Sequence, residues 1–171
     1  MKTLEQQMAF YAAYHRNRWN KATHFIGVPL IIFAILIPMA WLRLPAGPGL
    51  IGFELNCALL FAAAVLAYYF VLDVPLALAM TAFIAPLLWC ADQVARLPWQ
   101  TGLAVFAAAF IGGWVLQLVG HGFEGRRPAL ADNLFQVFVA PIFLAAEMAF
   151  ALGLRHETRD KVEALSHRHD A

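Results

Sequence analysis

The sequence predicts an all-α integral membrane protein, a helical bundle of four to five spans preceded by an amphipathic N-terminal helix. Apolar residues make up 62% of the chain and charged residues 13%, against roughly 45–50% and about 25% in ordinary soluble proteins. The mean hydropathy of +0.66 agrees with this. A net charge of +1, with no basic patch, excludes a general attraction to nucleic acid and leaves the lipid bilayer as the expected surroundings.

Five apolar segments approach the length of about twenty residues that a bilayer core requires. Turns rich in glycine, proline and charged residues separate them. The segments are Phe25–Leu42, Leu50–Leu72, Val74–Ala91, Thr101–Val119 and Asn133–Leu152. Because Pro141 and Glu147 fall within the fifth segment, four and five spans remain alternatives.

The polar stretch before the first span is predicted to be a helix lying along the membrane surface. Its less polar residues recur at three- and four-residue steps over Lys2–Asn20, at Leu4, Met8, Tyr11 and His15. The whole chain is then a single membrane domain. Its parts are an interfacial helix (1–24), a helical bundle (25–152) and a polar tail (153–171).

The distribution of charge places two polar stretches at the same face of the membrane. The first, YHRNRWNKATHFIGVP (14–29), is rich in basic residues and is therefore expected to be cytoplasmic. Four crossings later the chain returns to that face at GHGFEGRRPALAD (120–132). An even number of crossings thus permits one shared site built from both stretches.

Three of the six histidines, His15, His24 and His121, lie in these two stretches. Neutral imidazole binds Fe, Zn, Cu and Ni, and polar residues at membrane depth usually have a function. Nine residues at about 100° each place His15 and His24 on opposite sides of a continuous helix. If both bind one ion, the helix must break near Asn20–Thr23, with Thr23 as a candidate cap. The alternative is that these histidines bond lipid headgroups or backbone.

A second set of polar residues shares a face with His121 if the helix continues through it: Trp114, Gln117 and Glu124 follow at three- or four-residue intervals. Glu124 is interpreted as a hydrogen-bonding partner of a histidine or an ion-pair partner of Arg126 or Arg127, in preference to a metal ligand.

Outside these two stretches, Glu147 is expected either to be protonated or paired, or to support the site. Glu54 and Asn56 are expected to be structural. The histidines of the tail, His156, His167 and His169, are assigned to a frayed, solvated helix.

The stretches YHRNRWNKATHFIGVP, GHGFEGRRPAL and APIFLAAE together resemble the Mpo-like family, from Leu4 to about Leu152. The shared pattern is Tyr-His, an Asn and a second His before Gly-x-Pro, followed by Gly-His, Glu-Gly and Pro-Ala. The characterised eukaryotic member is a 2-hydroxy fatty acid dioxygenase of the endoplasmic reticulum. The resemblance implies Fe(II) held by His15, His24 and His121, and an α-oxidation that removes the carboxyl carbon of a 2-hydroxy fatty acid.

The implied reaction balances without a second cofactor. RCH(OH)COOH and O2 give RCOOH, CO2 and H2O, so the substrate itself supplies all four electrons that O2 accepts. The sequence has neither a Rossmann nor a P-loop motif, which agrees with this balance.

The roles of the other polar residues in this reaction are hypotheses. Asn20 and Gln117 would orient the ligands or the substrate hydroxyl, and Tyr14 would donate a hydrogen bond to bound oxygen. Arg126 or Arg127 would hold the substrate carboxylate.

Two other functions are kept as alternatives: a non-catalytic membrane scaffold or lipid-binding protein, and a zinc-dependent membrane hydrolase. A di-iron hydroxylase is disfavoured because the chain has no clustered histidine boxes. Alanine-rich spans and short loops favour a bacterial inner membrane over the endoplasmic reticulum.

Overall fold

The computed structural model describes residues 3–45, 54–125 and 136–166. Within these residues the chain forms seven helices and no strand beyond an isolated bridge between Arg43 and Asn56. The helices are α1 (Leu4–Ala13), α2 (Arg18–Trp41), α3 (Cys57–Leu72), α4 (Val74–Ala95), α5 (Trp99–Glu124), α6 (Gln136–Ala151) and α7 (His156–Ser166). The predicted all-α class is confirmed.

The N-terminal region is two helices rather than one. The side chain of Asn17 accepts a hydrogen bond from Trp19 N at 2.8 Å and so caps the start of α2. The predicted break near Asn20–Thr23 was therefore placed too late. Thr23 is not a cap, because it lies inside α2 and its hydroxyl donates to the Asn20 carbonyl at 2.8 Å.

Three helices, α2, α4 and α5, are long and apolar enough to cross a membrane, by length and composition. The predicted count of four to five spans is not confirmed, because α3 and α6 have only 16 residues each. The helix α3 begins late because the Asn56 side chain accepts from Leu59 N at 3.0 Å and fixes the helix start there. Parts of the predicted segments Leu50–Leu72 and Asn133–Leu152 lie outside the described residues.

Helices α2 and α5 pack closely along a line of glycines. A Cβ on Gly27 would lie 3.0 Å from the Gly113 carbonyl oxygen, and one on Gly113 would lie 3.1 Å from that of Gly27. Close approach through small residues is typical of membrane helices. Because the two helices are antiparallel, the first turns of α2 lie beside the last turns of α5, as the span-counting argument predicted.

The C-terminal tail is more ordered than expected. Helix α7 packs on α1, and Val162 is buried with only 4% of its surface exposed. Arg155, just before α7, forms a two-pronged ion pair with Asp73 in the turn between α3 and α4. Of the tail histidines only His156 is described; His167 and His169 lie outside the described residues.

Charged and amide groups at the other end of the bundle have the structural roles expected of them. Glu54 pairs with Arg43. Asn56 is buried, caps α3 and donates to Asp92 Oδ1 at 3.3 Å.

Candidate metal centre

The three predicted histidines converge. His15 lies in the turn between α1 and α2, His24 in α2 near its start, and His121 near the end of α5. Each is buried, and one ring nitrogen from each lies within 4.8 Å of the other two. The ring centroids are 4.6 Å apart for His15 and His24, and 5.0 Å for each pair that includes His121.

Backbone carbonyls fix the tautomers of two of these rings. His15 Nδ1 donates to the Tyr11 carbonyl at 2.8 Å, and His24 Nδ1 donates to the Asn20 carbonyl at 2.9 Å. Since a carbonyl oxygen only accepts, both Nδ1 atoms carry the hydrogen and both neutral rings have their lone pair on Nε2. The two Nε2 atoms face each other at 3.1 Å. Two lone pairs at that distance repel unless a cation lies between them.

The surroundings of His15 keep its imidazole neutral. Burial, as the largest cause, and the neighbouring His24 lower the pKa of His15 to about 3. The neutral form is the one that binds a metal, so His15 is ready to bind at physiological pH.

This geometry fits a first-row divalent metal ion. Two ligands about 2.1 Å from one ion and at right angles to each other are about 3 Å apart, and the His15 and His24 Nε2 atoms meet that requirement. Within the described residues, the buried Nδ1 of His121 has no hydrogen-bond partner. Three neutral imidazoles suit Fe, Zn, Cu or Ni. The donor set therefore fits a metal without selecting among these ions.

Glu124 is not part of the group formed by His15, His24 and His121. Its Oε1 accepts from Arg16 N at 3.0 Å, and its Oε2 accepts from Asn17 N at 2.9 Å and from Asn20 Nδ2 at 2.9 Å. In the described part of the chain no hydrogen bond joins Glu124 to a histidine. The expected partners Arg126 and Arg127 lie outside the described residues, as does their predicted role in substrate binding.

The remaining predicted site residues differ in their contacts, and of these only Gln117 lines the cavity. Asn20 is fully buried and connects Glu124 to the Tyr14 carbonyl, at 3.3 Å. Gln117 is 7% exposed and lines the cavity described below. The Tyr14 ring packs on Phe10 with centroids 5.2 Å apart.

Glu147 is an ion-pair partner rather than an isolated charge. Its Oε2 accepts from Lys21 Nζ at 2.7 Å. This pair ties α6 to the first turns of α2 and accounts for a carboxylate in an apolar helix.

Two residues of the site were missed by the sequence analysis. Tyr11 stacks on His15 with centroids 3.9 Å apart and planes 4° apart, and it lines the cavity. Its spacing of four residues before His15 was the available signal. Gln136 also lines the cavity and is 4% exposed; a lone amide at the edge of an apolar segment was the corresponding signal.

A cavity of about 250 Å³ extends from the three histidines into the bundle. Apart from the histidines and the two glutamines, its walls are mainly aliphatic and aromatic side chains from α2 to α6. On α2 its lining runs from His24 to Leu36, and on α3 it runs from Phe61 to Tyr69. The centre thus lies at the polar end of a long apolar space.

Comparison with known proteins gives two matches. The sequence model of the family described as 2-hydroxy-palmitic acid dioxygenase Mpo1-like matches residues 1–152. A Saccharomyces cerevisiae protein named 2-hydroxy-palmitic acid dioxygenase MPO1 is 33% identical over 163 residues, which cover 94% of this chain and 87% of the yeast protein. No solved structure matches the chain.

Proposed function

Because the chain belongs to the 2-hydroxy-palmitic acid dioxygenase Mpo1-like family, we propose that it is an Fe(II)-dependent dioxygenase that shortens 2-hydroxy fatty acids by one carbon. The family resemblance seen in the sequence motifs is confirmed by both matches. The iron and the chain-shortening reaction are our proposal for this protein.

The observation that carries the proposal is the pair of Nε2 atoms from His15 and His24 at 3.1 Å, with His121 beside them. A purely structural cluster would place a donor opposite an acceptor. Here the Nδ1 atoms of His15 and His24 donate to the Tyr11 and Asn20 carbonyls, so both Nε2 atoms are acceptors, and these two acceptors face each other. A bound cation accounts for this arrangement, and such hydrogen bonds to the second ring nitrogen are the usual support of metal-bound histidines.

The shape of the cavity supports a fatty-acyl substrate. From His24 to Leu36 the cavity follows twelve residues of α2, which rise about 18 Å at 1.5 Å each. Half of a bilayer core, the depth that one acyl chain occupies, is about 15 Å. An acyl chain can therefore extend along the apolar wall while its carboxyl end lies at the histidines.

The chemistry would divide between the ion and the chain as follows. When bound, Fe(II) supplies a redox-active centre where the hydroxy acid and O2 meet. The three histidines bring no negative charge, so the charge of a substrate carboxylate is not repelled. Asn20 and Gln117 would orient ligands or the substrate hydroxyl, Tyr14 would donate to oxygen, and Arg126 or Arg127 would hold the carboxylate.

The overall balance gives the reaction a definite signature. One O2 is consumed for each CO2 released, and the fatty acid product has one carbon fewer than the substrate. The substrate supplies every electron, so turnover requires neither a nicotinamide nor 2-oxoglutarate. We place the enzyme in a bacterial inner membrane, on the strength of its alanine-rich spans and short loops.

The test is metal analysis and oxygen uptake on protein purified without oxygen. The wild-type protein should contain stoichiometric iron and consume O2 with 2-hydroxypalmitate. His15→Ala, His24→Ala and His121→Ala should each lose both iron and O2 uptake. His156→Ala is the matched control, because His156 lies in α7, outside the histidine group, and should keep both.

Three results would contradict the proposal. Wild-type protein that binds no metal would favour the scaffold or lipid-binding alternative. Full zinc occupancy without O2 uptake would favour a hydrolase. Loss of iron in His156→Ala would show that the ligand set is wrong.

A further inference from the structure

We propose that Glu124 is a positioning residue of the metal centre, which holds the turn bearing His15 in place against α5. This inference rests on the proposed function in one respect, namely that the three histidines bind a metal. It assigns to Glu124 neither metal ligation nor contact with the substrate.

His15 does not lie in a helix. Helix α1 ends at Ala13 and α2 begins at Arg18. His15 N donates to the Ala12 carbonyl at 3.1 Å, a bond of the tighter i to i−3 type that closes the end of α1, and the chain then leaves the helix before α2 begins. His24 and His121 are each held by a long helix. The location of His15 therefore depends on the contacts that its turn makes.

The carboxylate of Glu124, more than one hundred positions later in the chain, accepts hydrogen bonds from this turn. Both oxygens of Glu124 are engaged, by the N–H groups of Arg16 and Asn17 and by the side chain of Asn20, all at 2.9–3.0 Å. The Asn17 side chain adds a bond to the Phe123 carbonyl at 3.0 Å. The turn is thus attached to the last residues of α5, directly after His121.

The charge of Glu124 is unfavourable for its own helix and favourable for α2. It is the last residue of α5, where a negative charge opposes the dipole of its own helix. The same carboxylate lies at the N-terminus of α2, where a negative charge is favoured. Its placement therefore stabilises the junction between the two helices rather than α5 itself.

Two different groups therefore fix the imidazole of His15 and the backbone of its turn. The Tyr11 carbonyl fixes the rotation of the imidazole through Nδ1, while Glu124 fixes the backbone of the turn relative to His121. Without Glu124 the backbone N–H groups of Arg16 and Asn17 lose their acceptor, and the turn is no longer attached to α5 through them. The His15 Nε2 would then no longer be held against the other two ligands.

The experiment is a Co(II) titration of the metal-free protein in detergent, followed by visible absorption, for Glu124→Gln. A glutamine keeps one acceptor oxygen but presents an NH2 group to the remaining donors. We expect Co(II) to bind about 10- to 100-fold more weakly, the usual effect of losing a group that orients a metal ligand. Glu147→Gln is the matched control, because it removes a carboxylate that pairs with Lys21 in the first turns of α2 and makes no hydrogen bond to the His15 turn in the described residues. It should bind Co(II) as the wild type does.

A second measurement separates positioning from general loss of folding. His15→Ala, which should lose iron on purification, keeps two histidines that can bind added Co(II) weakly, and in that background Glu124 no longer positions His15. Adding Glu124→Gln to His15→Ala should therefore change this weaker Co(II) affinity less than about twofold. Glu124→Asp, which keeps the charge on a shorter arm, should recover part of the wild-type affinity.

The results that would overturn the inference are specific. They are wild-type affinity in Glu124→Gln, an equal loss in the two backgrounds, or an equal loss in Glu147→Gln. A wild-type protein that binds no Co(II), Fe(II) or Zn(II) would instead refute the metal centre on which the inference depends.

Discussion

Replacing Gly120 by alanine should abolish metal binding while leaving the protein folded. A Cβ on Gly120 would lie 2.2 Å from Thr23 Oγ1, 2.6 Å from Asn20 Oδ1 and 3.2 Å from His24 Nδ1. Ordinary contact begins near 3.4 Å, so Thr23 or the α5 backbone must move by about 1 Å.

The side chains around Gly120 cannot easily absorb that movement. Thr23 is bonded to the Asn20 carbonyl at 2.8 Å, and Asn20 is bonded to Glu124 at 2.9 Å. We therefore expect α5 to retreat from α2 and to carry His121 away from His24. Metal–ligand distances tolerate only about 0.2 Å, so a shift of this size should remove the ion.

Gly120→Ala should change the free energy of unfolding only slightly, even though it removes the bound ion. Overpacking costs about 1–3 kcal/mol, while alanine gains about 1 kcal/mol over glycine within a helix. The net change in the free energy of unfolding is therefore about 0–2 kcal/mol. Gly122→Ala is the matched control, since its Cβ would meet no atom within 4 Å.

The assay is iron content per chain together with thermal unfolding in detergent. Gly120→Ala should fold with little or no iron, and Gly122→Ala should keep its iron and be equally or more stable. Wild-type iron in Gly120→Ala would refute the argument that close packing of α2 on α5 sets the ligand geometry.

Two further predictions concern the same turn and the cavity. Because burial lowers the pKa of His15 to about 3, the unfolded chain, with a histidine pKa near 6.5, binds a proton that the folded chain excludes. The stability of the metal-free protein should thus fall as pH decreases below 6.5, with a contribution of up to about 1.4 kcal/mol per pH unit; an unchanged slope in His15→Ala would contradict this. Ala62→Leu, which adds volume to the cavity wall, should weaken binding of 2-hydroxypalmitate without loss of iron, whereas Ala63→Leu, on the exposed face of α3, should have no effect. Trp114 lines the same cavity, so quenching of tryptophan fluorescence can report binding, and equal affinities in the two variants would argue against an acyl chain in this space.

The sequence predicted the features that depend on composition and on short motifs. The high apolar fraction predicted a membrane protein. A backbone in lipid must satisfy its own hydrogen bonds, which for apolar segments of this length predicts helices. The motifs around His15, His24 and His121 indicated the family, and counting an even number of spans predicted that the two motif-bearing stretches would meet. Helical phase predicted a break between His15 and His24 on the condition that both bind one ion.

The sequence could not locate that break, because several residues in this stretch can cap a helix. Asn17 and Thr23 are both suitable capping residues, and local preference does not choose between them. Asn17 becomes the cap because its neighbourhood also bonds Phe123 and Glu124 more than one hundred positions later. The number of spans was equally hard to predict, since hydropathy does not reveal that the Asn56 side chain starts α3 late.

The sequence by itself therefore determined that this protein is helical with segments of membrane-spanning length, that it resembles the Mpo1-like family, and which histidines are its candidate metal ligands. Only the tertiary structure decided how those histidines face one another and what holds them. The physical reason is that ring orientation and ligand spacing depend on contacts between residues far apart in the chain. Glu124 bonds the turn before α2, and Gly120 packs without a side chain against His24. These are the two contacts on which, in our proposal, the geometry of the histidine group depends.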